Sequence, residues 1–158
     1  MILNLKISNF EYQKLAFIKK NNLNMIKEEN MKRTILLDTH PMYSCEILKK
    51  DTTKQNTNDI IEHFKRKIEE NPEAGFITVF DHYQHTQSLG GEILENIIDA
   101  KNLIFCFGHT IKNMEILAFR PKSIAICETE ESFVLEFLET PRPEVNAWMQ
   151  SWIEEIKE

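Results

Sequence analysis

The sequence predicts an α+β fold: a mixed sheet of five to six strands, a hairpin near the carboxyl terminus, and two main helices packed on the sheet. Three observations carry this expectation. Short apolar runs of strand length recur from Thr34 onward. Two longer segments, Asp59–Glu70 and the stretch after Pro143, repeat apolar residues at three- and four-residue steps. Lys122–Glu128 and Ser132–Leu138 flank the acidic turn Thr129-Glu130-Glu131 as a hairpin should.

The first 30 residues stand apart. They are rich in Asn, Lys, Ile and Leu and contain neither Pro nor Gly, with no sustained helical or strand period. They are read as an amino-terminal extension, with Met31 as an alternative natural start, and residues 31–158 as a single domain. If the extension is structured, a strand at Leu3–Ile7 and a helix at Glu11–Lys20 are expected. From Thr34, the runs Thr34–Asp38 and Met42–Leu48 are two strands separated by Thr39-His40-Pro41. Lys49 to Thr57 has no apolar residue and reads as an exposed loop. Asn58 is expected to cap a helix over Asp59–Glu70, whose face is Ile60, Ile61, Phe64 and Ile68. Asn71-Pro72 ends it.

Phe76–Phe80 (FITVF) and Leu103–Phe107 (LIFCF) read as two buried strands. The intervening residues, with a short helix at about Ile93–Ala100, suit a right-handed parallel crossover better than a hairpin. Met114–Phe119 is a further candidate strand. Pro141 and Pro143 open the last helix, whose stripe is Val145, Trp148, Met149, Trp152, Ile153 and Ile156.

Composition narrows the function classes. The 158 residues are 42% apolar and 28% charged, as in an ordinary folded chain. No apolar run reaches the roughly 18 residues of a membrane span, and the amino terminus has no secretory pattern. The net charge of −6 argues against a nucleic-acid polymer as partner, which needs a concentrated basic face. Cys45, Cys106 and Cys127 are odd in number and form no CxxC, so a reducing cytoplasm fits best. Cys106, inside LIFCF, is expected to be buried and inert. Cys127 points away from Ile124 and Ile126.

Two constellations could carry chemistry. The first is Asp81, His82 and His85 with His109. If the two apolar strands are parallel, all four lie past strand carboxyl ends, where open sheets place ligands. His82 and His85 are three apart, so one helical turn sets both rings on one side. With His109 they make a candidate triad for zinc, iron or nickel. A separation of His82 and His109 beyond about 12 Å would undo this cluster. The competing reading is of histidines bonding loop carbonyls and of Asp81 capping the next turn. A histidine base oriented by Asp81 is conceivable, but no GxSxG-like nucleophile accompanies it. The second is Phe107-Gly108-His109-Thr110, where a strand ending in glycine could offer backbone N–H groups to an anion, with Arg120 and Lys122 downstream. The competing reading is a glycine that only allows a turn. No Walker loop or GxGxxG is present.

The segments DHYQHT, AKNLIFCFG, RPKSIAICETE and FLETPRPEVNAWMQSW together resemble a family of small uncharacterised bacterial proteins classed as a domain of unknown function. The resemblance runs from about Lys32 to Lys157. It implies cytoplasmic residence and a compact α+β domain, and it brings no activity, so no catalytic role or cofactor is assigned. It ranks Asp81–Thr86 and Phe107–Gly108 first among candidate sites. The leading expectation is a cytosolic protein binding a small anionic ligand, such as a nucleotide or phosphate compound. The ligand-binding residues would be Asp81, His82, His85, Gly108, His109 and Arg120. The alternatives are a metal-dependent hydrolase or oxygenase with His82, His85 and His109 as ligands, and an interaction protein forming a homodimer through a sheet edge or the tryptophan helix.

Overall fold

Alternation along the strands sorts their side chains onto two faces, and among the described residues one face is packed by the two long helices. A computed structural model describes residues 31–157. The strand and helix expected at Leu3–Ile7 and Glu11–Lys20 lie outside them. Strands β1 (Met31–Leu36) and β2 (His40–Leu48) form the first hairpin, and helix α1 (Thr57–Glu70) follows. Next come β3 (Ala74–Asp81), the short helix α2 (His82–Ser88) and β4 (Asp99–Phe107). Strands β5 (Lys122–Glu128) and β6 (Ser132–Leu138) form the second hairpin, and α3 (Pro143–Glu154) closes the fold.

The six strands lie in the order β1-β2-β6-β5-β4-β3, and every neighbouring pair is antiparallel. The α+β class, the β5–β6 hairpin and the two packed helices match the sequence expectation. The mixed sheet and the parallel crossover do not. Asp81 at the end of β3 pairs with Lys101 near the start of β4, and Ala74 pairs with Phe107. The reason is the connection. Its helix, α2, has seven residues and none is buried, so it spans only about 10 Å. It can neither return along an eight-residue strand nor cover a sheet face. The expected helix at Ile93–Ala100 is absent, because β4 begins at Asp99.

One core holds the layers together. Cys45, Ile47, Leu103, Phe105, Phe107, Ile124, Ile126, Phe133, Leu135 and Phe137 are buried on one sheet face. Ile60, Ile61, Phe64 and Ile68 of α1 and Val145, Met149, Trp152 and Ile153 of α3 cover them. The alternate positions, including Asn102, Ile104, Cys106, Ser123, Ala125, Cys127 and Glu136, are only half-buried on the opposite face. Cys106 therefore departs from expectation: it is half-buried there, and Phe105 and Phe107 take the core side. Cys127 points away from Ile124 and Ile126 as expected, and burial pushes its thiol pKa up.

Local signals were shifted by small amounts elsewhere. The cap of α1 is Asn56, whose side chain accepts from the Asp59 backbone N–H, in place of Asn58. Residues Met114–Phe119 do not form a strand, and a short 3-10 turn occupies Glu115–Phe119. β3 is not buried. It is the outer strand, with Phe76, Ile77 and Phe80 exposed by 42, 51 and 38%. No helix among the described residues is long and apolar enough to cross a membrane.

Candidate functional site

Ends of β4, β5 and α3 come together around a mostly apolar pocket. β4 brings Phe107 to its edge, and residues 108–121 then loop out, with Ile116 and Phe119 of the 3-10 turn folding back against it. β5 starts at Lys122. On the other side, Thr140, Pro141 and Arg142 lead from β6 into α3, whose first turn contributes Val145. The corner is braced: the Thr140 backbone N–H donates to Asn146 Oδ1 at 2.8 Å, and Asn146 Nδ2 donates to the Thr140 carbonyl at 2.9 Å. Beneath, Phe107 stacks on Trp148 and Trp152 at centroid distances of 5.4 and 5.8 Å. The pocket holds about 220 Å³ and its walls are mostly apolar.

Three cationic side chains line it. Arg120 donates from Nη1 to the Thr110 carbonyl at 2.9 Å. Arg142 pairs with the partly exposed Glu144 at 2.8 Å. Lys122 is half-buried, and its Nζ sits 5.6 Å from the centre of the Phe119 ring. No carboxylate among the described residues lies within salt-bridge range of it. Burial pushes the Lys122 ammonium below its usual pKa, since a cation leaving water without a partner is disfavoured.

Sequence-nominated residues fall at both ends of the sheet. Gly108 and Arg120 are brought together. Gly108 has φ +87, and a Cβ built there would lie 2.6 Å from Arg120 Nη2. Glycine thus serves both the backbone conformation and the close approach. Its N–H donates to the Glu73 carbonyl at 2.7 Å, so that amide is not offered to an anion. His109 is exposed and its Nε2 contacts the Pro72 carbonyl. At the far end Asp81 accepts from the Gln84 backbone N–H at 2.8 Å, capping α2, and it lies 3.9 Å from Lys101. His82 and His85 are exposed and flank the Phe80 ring at 4.6 and 5.2 Å between centroids.

The cluster of Asp81, His82, His85 and His109 is therefore not formed. The antiparallel register puts His82 and His109 beyond opposite ends of β3, roughly 20 Å apart at the rise of an extended strand. Among the described residues no group of three His, Cys, Asp or Glu side chains is placed to hold a metal. Sequence reasoning passed over Ile116, Phe119 and Arg142. The available signal was the connection 108–121, which is long for a loop and carries several apolar residues between two strands.

The end of the sheet away from the pocket holds a denser charge network. Glu128, buried at the end of β5, takes Lys49 Nζ at 2.7 Å and the backbone N–H of Thr57 at 3.1 Å. Thr57 Oγ1 donates to Asp99 at 2.5 Å, and Lys101 pairs with the same carboxylate. Hydrogen bonds from Lys101 and Thr57 hold the Asp99 carboxyl pKa below its usual range, against the opposing effect of burial. Glu128 sits at the amino terminus of α1, where unsatisfied N–H groups favour an anion. These groups answer one another, so this end reads as structural.

No curated protein and no solved structure matches the chain. A family model does, over residues 31–158, the stretch that opens with β1 and includes both the pocket and the charge network. The chain belongs to the family of unknown function DUF6858.

Proposed function

We propose that this protein binds a small, largely apolar ligand carrying one anionic group, a carboxylate or a phosphate, in the pocket between the 108–121 loop and the start of α3. The observation that carries the reading is Lys122. A half-buried ammonium faces an apolar pocket with no carboxylate of the described chain to answer it. Such a group costs stability unless something anionic pairs with it. Arg120 and Arg142 stand beside it as further donors suited to a carboxylate or phosphate. The volume of about 220 Å³ is below the usual range for drug-sized ligands. It suits a single substituted ring or a short branched chain and is too small for a whole nucleotide. The anion reading thus moves from the Asp81, His82 and His85 end to the Arg120 end.

The test is a thermal-shift and calorimetric screen with aromatic and short aliphatic carboxylates and their phosphate counterparts. A true ligand at one hundred times its Kd stabilises by about 2.7 kcal/mol, which moves the midpoint by several degrees. It should also perturb tryptophan fluorescence, because Trp148 and Trp152 stack on Phe107. Lys122→Met should abolish binding and leave the fold as stable or slightly more stable. A ligand that binds Lys122→Met as tightly as the parent chain would refute the pairing.

A further inference from the structure

β3 is an unusual edge. Its outer side has no strand partner among the described residues, and from Ala74 to Phe80 the run AGFITVF contains no charge and no proline. Natural sheets protect long edges with lysine, proline, bulges or a covering element. Among the described residues the only such feature here is the bulge between Phe76 and Thr78. The opposite edge, β1, differs. It carries Lys32 and Arg33, and Arg33 is engaged by Glu139 at 2.6 Å.

Faces and register make β3 complementary to itself. Phe76 and Val79 lie opposite Phe105 and Leu103, on the helix side of the sheet. Gly75 and Phe80 lie opposite Cys106 and Asn102, on the other side. A two-fold axis normal to the sheet keeps each face on its own side. Antiparallel pairing of two β3 strands can then set Phe76 against the partner's Val79 and Gly75 against the partner's Phe80. Nothing among the described residues demands glycine at position 75: its φ is not positive, and an added Cβ would meet no described atom within 4 Å. The open space over it fits the partner's aromatic ring, and a ring lying over glycine is a recognised way of pinning strand register. We propose that two copies of this chain pair antiparallel through β3 and make one continuous sheet of two six-stranded halves.

The experiment is sedimentation equilibrium on the full 158-residue chain, with variants checked by circular dichroism and urea unfolding. The parent chain should dimerise in the micromolar range, about where specific interfaces begin to hold. Phe80→Glu should be monomeric. Gly75→Val should weaken the dimer at least about tenfold, while the monomer keeps or improves its urea midpoint because β-branched residues suit strands. Should Phe80→Glu fail to fold, Gly75→Val alone decides. A parent chain that is monomeric at about 100 µM, or a dimer untouched by Gly75→Val, would overturn the proposal.

Discussion

Both ends of the sheet carry ionisable side chains, and the two ends use them differently. At the amino terminus of α1, Glu128 and Asp99 are matched by Lys49, Lys101 and the Thr57 hydroxyl and N–H. At the pocket end, Lys122 and Arg120 face apolar walls, and among the described residues no carboxylate lies within salt-bridge range of either. Among the described residues no fully buried polar side-chain atom lacks a partner. The fold therefore completes its own electrostatics where it is closed. It leaves cations unanswered only where solvent or a ligand can reach them. Charge density alone does not mark an open site here, because the denser end is the one with its valences filled.

The largest effect should come from breaking the paired end. Glu128→Ala would leave Lys49 and the first turn of α1 without their acceptor, and unfolding in urea should show a loss of about 3 kcal/mol. A loss below about 1 kcal/mol would mean water replaces the carboxylate, and the contrast between the ends would fail. Gly108→Ala tests the pocket end. It forces a side chain into positive φ and against Arg120, so a destabilisation of about 1–2 kcal/mol is expected. Weakened ligand binding should accompany it as Arg120 shifts. Unchanged stability would show that the Arg120 guanidinium moves aside freely.

The smallest effect concerns neither end. His63 is buried where α1 meets α3, with Nε2 at 2.8 Å from the Trp152 carbonyl and Nδ1 at 3.3 Å from Arg66. Burial lowers its pKa in the folded chain, outweighing the raising effect of the Trp152 hydrogen bond. As pH falls below roughly 6.5, the unfolded chain takes up the proton first. Stability contributed by neutral His63 is thus complete above that value and is lost below it. Urea midpoints measured from pH 7.5 to 5 should decline, and His63→Gln should flatten the slope. An equal slope in the variant would assign the decline to other groups.

Much of the fold was legible locally. The hairpins, α1 and the closing helix were written in alternation, three- and four-residue spacing, an Asn cap and a proline start, all short-range features of the chain. Their errors were small, such as Asn56 capping in place of Asn58. The candidate site was half legible: Gly108 and Arg120 meet, whereas His109 does not reach His82 and His85. Apolar runs such as FITVF and LIFCF state that a strand exists. They do not state which way its neighbour runs or whether its outer edge is covered.

The sequence by itself determined the six strands, the two packed helices with their inward stripes and the face to which Cys127 points, because these follow from periodicities of two and 3.6 residues. Tertiary structure alone decided the direction of β3 against β4, the edge position of β3 and the placing of Lys122 and Arg142 around one pocket. Those depend on whether the connecting segments can reach and bury a given surface. A seven-residue helix with no buried side chain could not make the crossover, and that one shortfall separated His82 and His85 from His109.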